Sequence, residues 1–137
     1  MIAFLDASAL IYLLESAEPF RSRVRQSMGE LLVEDPHLRL AVSRLTWLEV
    51  RVGPMKNHAT GLLKVYDDFF ARPDLIWQDL TQDVVELATV MRVRHGLRTP
   101  DALQAASCLQ LGTQHRFLTG DKRFQGVSGL RVIYLNE

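Results

Sequence analysis

Four apolar residues, Ile2, Ala3, Phe4 and Leu5, follow one another with no polar alternation and end on a carboxylate, Asp6. A short strand without a polar face is covered on both sides, the condition of strands in a parallel sheet. Parallel strands need long crossovers, usually helices, so the remaining chain has to alternate between the two periods.

The alternation is there. Ser8 reads as the N-cap of a helix through Ala9, Leu10, Tyr12, Leu13 and Leu14, ending near Ser16. Pro19 opens the next helix, with Phe20, Val24, Met28, Leu31 and Leu32 at helical spacing. Leu38 to Val42 reads as a second strand, and Ser43 caps a helix that Gly53-Pro54 should stop. Leu62 to Phe70 gives another helix and Leu75 to Trp77 a third strand. Asp83 to His95 is helical with Gly96 as C-cap. Thr99, as N-cap, and Pro100 open an Ala-rich helix that Gly112 closes. Arg116 to Leu118 and Leu130 to Leu135 are the last strands, and the Thr119-Gly120-Asp121 turn lies between them. The pattern predicts an α/β three-layer sandwich around a mostly parallel sheet, as one domain over residues 1–137. Ligands of such sheets bind in the crevice outside the carboxyl ends of the strands.

Charge bears on the partner. Sixteen basic residues balance sixteen acidic ones, so a polyanion would have to be gripped locally. The single cysteine, Cys108, rules out an internal disulfide and fits a reducing cytoplasm. The start of the chain does not read as a signal peptide, and no apolar run approaches the roughly 18 to 20 residues that cross a bilayer, so a soluble cytoplasmic protein with no membrane association is expected.

Four acids stand at special places. Asp6 follows the first strand and either caps the helix after it or carries chemistry, with Ser8 beside it. Glu49 lies in a helical stripe with Leu45, Leu48 and Val52, where a charge needs a partner: a base such as Arg44 or Arg51, or a metal. Asp101 sits in the first turn of a helix, where the helix dipole favours a negative charge. Asp121 ends a strand and can cap the short helix Lys122 to Phe124. Each acid has an ordinary structural explanation, but their convergence on the strand ends is a further fact. Clustered carboxylates repel one another and are relieved by a cation, and an all-oxygen set suits Mg²⁺ or Mn²⁺ rather than zinc or copper. His37, His58, His95 and His115 show no metal-ligand pairing, Cys108 sits among core residues, and no glycine-rich phosphate loop occurs.

The segments Phe4-Leu5-Asp6-Ala7-Ser8-Ala9-Leu10, Leu48-Glu49-Val50, Thr99-Pro100-Asp101-Ala102-Leu103 and Leu118-Thr119-Gly120-Asp121 together resemble PIN-domain proteins over the whole chain, most closely the VapC toxins of bacterial toxin–antitoxin pairs. The resemblance implies a PIN-like fold and an acidic pocket with Asp6, Glu49 and Asp101 as core metal ligands. It adds Asp121 as a fourth acid and Ser8 and Thr119 as supporting polar residues. It further implies Mg²⁺- or Mn²⁺-dependent cleavage of structured RNA such as transfer RNA, a homodimer, and inhibition by a small antitoxin protein. Such an inhibitor would present an Arg to the acids and anchor on a groove formed with Leu10, Leu13, Leu14, Phe20 and Val24. Arg44, Arg51, Arg98, Lys122 and Arg123 are the bases available to grip phosphates. Three rivals stand against this ribonuclease. A phosphatase of the haloacid dehalogenase type needs a second Asp where Ser8 stands, a receiver-like domain has no place for Glu49, and a PIN fold used only to bind RNA would not need all four acids.

Overall fold

A computed structural model describes residues 1–137. The unalternating strand β1 (Ile2–Leu5) is the middle of five, in the order β3-β2-β1-β4-β5, and every pairing is parallel. Its partners are β2 (Arg39–Ser43) on one side and β4 (His115–Thr119) on the other. β3 (Ile76–Gln78) and β5 (Val132–Tyr134) form the edges. Phe4 stands opposite Ala41 and Phe117.

Side chains leave the sheet alternately, and each face carries its own core. On one face Ala3, Leu5, Val42 and Leu118 meet α1 (Ala7–Leu14), α2 (Phe20–Glu34), α3 (Arg44–Lys56) and α4 (Thr60–Phe70) through Leu10, Val24, Val50, Tyr66 and Phe69. On the other face Phe4, Ala41 and Phe117 meet α5 (Gln82–His95) and α6 (Thr99–Gln110) through Val84, Met91, Ala102 and Ala105. The expected α/β three-layer architecture is therefore present, with the sheet wholly parallel. Phe4 stacks on Phe117 at 5.4 Å between centroids, and Phe124 lies tilted against Phe117 at 4.7 Å. No helix is long and apolar enough to cross a membrane.

His115 is 1% exposed and ties the start of β4 in place. Its Nδ1 lies 2.7 Å from the Gly112 carbonyl and must donate, so Nε2 is the acceptor for the Arg131 N–H at 3.2 Å. The ring is a neutral structural staple.

Several boundaries differ from the sequence expectation. α3 does not stop at Gly53-Pro54 but continues to Lys56, with Pro54 buried inside it. Pro54 cannot donate to Val50 and its ring crowds that carbonyl, but it lies in the last turn, where only two further helical residues follow, and its ring is buried. Asp6, not Ser8, is the N-cap of α1, and Arg98, not Thr99, precedes α6. β5 covers only the middle of the expected segment. The Thr81 cap of α5 and its left-handed Gly96, at φ 64°, follow the usual stop-and-start chemistry.

Candidate active site

The chain steps from β1 out to β2 and β3, then returns through α5 and α6 to β4 on the opposite side of β1. Crossovers leaving adjacent strands in opposite directions open a crevice at their carboxyl ends. Asp6 closes β1 and Thr119 closes β4, so both stand at that crevice.

Asp6 is 4% exposed and accepts three hydrogen bonds. The Ala9 N–H donates to Oδ1 at 2.8 Å and caps α1, the Ser8 hydroxyl donates to Oδ1 at 2.7 Å, and the Thr119 hydroxyl donates to Oδ2 at 2.6 Å. Burial outweighs these donors and, with repulsion from Asp121, pushes the carboxyl up to about 6. Asp6 thus caps α1 while standing at the crevice. The two supporting hydroxyls also order the turn beyond β4: Ser8 Oγ accepts from the Gly120 N–H at 2.9 Å and Thr119 Oγ1 from the Asp121 N–H at 3.0 Å.

Asp101 and Asp121 are each held by arginine. Arg98 Nε lies 3.0 Å from Asp101 Oδ2. Arg123 pairs with Asp121 through Nη2 at 2.6 Å and Nε at 3.0 Å, and its Nη2 lies 3.7 Å from Asp101. Asp121 also caps the 3₁₀ turn Lys122–Phe124 by accepting from the Arg123 N–H at 2.9 Å. The Arg123 guanidinium holds the Asp121 carboxyl below its usual range. Glu49 has no basic partner; Gln104 Nε2 donates to its Oε1 at 3.0 Å. Burial raises the Glu49 carboxyl, the Gln104 hydrogen bond opposes that, and Asp101 adds to it.

All four acids, with Ser8, Arg98 and Gln104, line one cavity of about 190 Å³. A larger apolar groove of about 580 Å³ between α5 and α6 contains no carboxylate. The acid cavity is therefore where chemistry can occur. Its donor set is all oxygen, the kind that Mg²⁺ or Mn²⁺ takes, and the buried Gln104 Oε1 has no partner. Yet no three acids are grouped closely enough to hold an ion between them. Like charges repel, and the two arginines draw Asp101 and Asp121 onto themselves. The residues fit a hard cation on condition that the arginines yield.

The structure thus brings Asp6, Glu49, Asp101 and Asp121 to one cavity, with Ser8 beside them and Thr119 bonded to Asp6. Of the five bases, Arg98 and Arg123 reach the acids. Arg44 instead pairs with Asp79 at 2.9 Å and lies 3.9 Å over the Trp77 ring, while Arg51 covers Trp47 at 4.5 Å. The apolar stripe around Glu49 is a correction: Leu48 and Val52 are 59% and 49% exposed, so that side of α3 faces outward. Leu10 and Val24 are fully buried and cannot line a partner groove. Gln104 joins the cavity beyond the expected residues; its position three residues after Asp101, in an otherwise small and apolar helix, marks the same helix face.

The PIN domain family model matches residues 3–130. The chain belongs to the PIN domain family. As a PIN domain it superposes on VapBC-1 from nontypeable Haemophilus influenzae with TM-score 0.76 and 19% identity, 100% of each chain being covered. A toxin–antitoxin complex from Klebsiella pneumoniae gives 0.71 and 26% over 98% of both chains. Mycobacterium tuberculosis VapC20, described as a sarcin-ricin loop cleaving toxin, gives 0.68 and 17% over 94% of this chain and 98% of that one. The PIN fold here is thus the one seen in VapC toxins. No curated protein matches this chain.

Proposed function

We propose that this PIN domain, residues 1–137, is a metal-dependent endoribonuclease and the toxin of a toxin–antitoxin pair, working in the cytoplasm. The convergence of four acids on one cavity at the carboxyl ends of β1 and β4 is the observation that carries this reading. Asp6, Glu49, Asp101 and Asp121 would hold Mg²⁺ or Mn²⁺, with Ser8 and Thr119 fixing Asp6. The ion, when bound, supplies Lewis-acid polarisation of the scissile phosphate and a more acidic water. No side-chain nucleophile is needed, and the cavity has none: Ser8 is committed to Asp6 and Gly120. Arg98 and Arg123 are half or more exposed, so they can turn from the carboxylates to a phosphate once a cation has taken those carboxylates over. Cleavage of the sarcin-ricin loop by VapC20 and the toxin–antitoxin complexes among the structural neighbours support structured RNA as substrate and a small protein as partner. An inhibitory Arg from that partner would have to compete with Arg98 and Arg123. The exposed apolar side of α3, with Trp47, Leu48, Val52 and Met55, supports a homodimer.

The test is to incubate purified protein with total RNA, with and without Mn²⁺ and EDTA, and to map new RNA ends. Cleavage should require the metal and be abolished in Asp101→Asn; wild-type cleavage by that variant would overturn the site assignment. A second reading is favoured by the arginine-paired acids and the absence of a grouped metal site: a PIN fold that binds RNA without cutting it. RNA binding with no new ends at any Mn²⁺ concentration would establish that one.

A further inference from the structure

Gln104 is 3% exposed and spans from α6 to α3. Its Nε2 donates to Thr46 Oγ1 at 2.8 Å and to Glu49 Oε1 at 3.0 Å, two acceptors three residues apart on α3. The amide cannot be reversed, because its oxygen would then face a carboxylate oxygen. Its Oε1 is left buried without a partner. An apolar side chain of similar length would fill the same space and would only exchange the stranded Gln104 oxygen for a stranded Thr46 hydroxyl, so packing alone gives little reason for an amide here. What the amide does provide is a fixed N–H donor aimed at Glu49, one of the two acids of the cavity that no arginine holds; the other, Asp6, already accepts from Ser8, Thr119 and the Ala9 N–H.

We propose that Gln104 is a positioning residue that holds the Glu49 carboxylate at the wall of the acid cavity, in place to bind a divalent cation. This rests on the metal-binding role of Glu49 proposed above. Gln104 does not touch the ion; it acts through Glu49, with Thr46 fixing its own orientation.

The experiment measures Mn²⁺ affinity by calorimetry, and the melting temperature, for the wild type and Gln104→Met. Loss of the donor should weaken Mn²⁺ binding about ten- to a hundredfold, the range for groups that orient a metal ligand. The metal-free melting temperature should change little, because the stranded Gln104 oxygen is exchanged for a Thr46 hydroxyl without a donor. Gln104→His, whose ring N–H can still donate, should recover part of the affinity. Ser107→Ala is the control: Ser107 is a buried polar residue of α6 bonded to Leu103 and Ser43, away from the acids, and its loss should leave Mn²⁺ affinity unchanged. Wild-type affinity in Gln104→Met, or an equal loss in Ser107→Ala, would overturn the proposal. Should Gln104→Met fail to fold, Thr46→Val removes the second anchor and should weaken Mn²⁺ binding severalfold, and an unchanged affinity there would equally overturn it. If the wild type binds no Mn²⁺, the metal reading falls and this proposal with it. If the wild type and Gln104→Met bind equally, only the proposal falls.

Discussion

Asp6 receives three hydrogen bonds and still titrates near 6, because a carboxylate sealed from water loses more hydration than three donors restore. The folded value lies above the ordinary 3.8, so the folded state holds the proton more tightly than the unfolded chain. The stability this group contributes is full below about pH 4 and is lost as the pH rises through about 6. By the size of the displacement, the charge costs about 3 kcal/mol at neutral pH. Asp6→Asn keeps an oxygen for the Ala9 cap and removes the charge. Without metal at pH 7.5 it should therefore be more stable than the wild type to denaturant by about 1 to 3 kcal/mol, a gain that vanishes at pH 4. An equal or lower midpoint at pH 7.5 would contradict this account of the site.

The turn after β4 depends on a neighbouring helix. A Cβ at Gly120 would stand 2.6 Å from the Tyr12 hydroxyl and 2.7 Å from its ring carbons. That ring is packed on Phe20 at 4.7 Å and its hydroxyl accepts from Asn136 at 2.9 Å, so it has little room to retreat. Gly120→Ala should cost about 1 to 3 kcal/mol, read as a drop in melting temperature, with partial recovery when Tyr12→Leu is added. Full stability in the single variant would show that α1 and the turn are not interlocked. Strands and helices of this kind were legible because period and punctuation are local properties: the run at Ile2, the cap at Ser43, the glycine at 96. The four acids were legible for the same reason, each standing beside an element end or within a motif. Which side of α3 faces outward was not, since Leu48 and Val52 have the spacing of core residues and only packing reveals that they are exposed. Nor were the contacts of Asp6 with Thr119 and of Glu49 with Gln104, which join residues more than fifty positions apart.

At the scale of the molecule, a cation that binds only the folded acid cavity should stabilise the protein by mass action. At a concentration a hundred times its dissociation constant the gain is about 2.7 kcal/mol. Mn²⁺ should raise the melting temperature of the wild type and have a much smaller effect on Asp6→Asn; equal shifts in both would place the ion elsewhere. The outward apolar side of α3 makes a separate prediction. Light scattering on a sizing column should give twice the chain mass for the wild type, and the single chain mass for Leu48→Glu combined with Val52→Glu. A wild-type protein that elutes as one chain would remove α3 as a dimer surface.

The sheet order also has a bearing on synthesis. β1 is made well before its partner β4, and Asp6 meets Thr119 across 113 positions of sequence. A nascent chain that already carries Asp6, Glu49 and Asp101 still lacks the strand that closes the crevice. The acid cavity therefore comes together only once β4 has been made and can pair with β1, after the first three acids have left the ribosome.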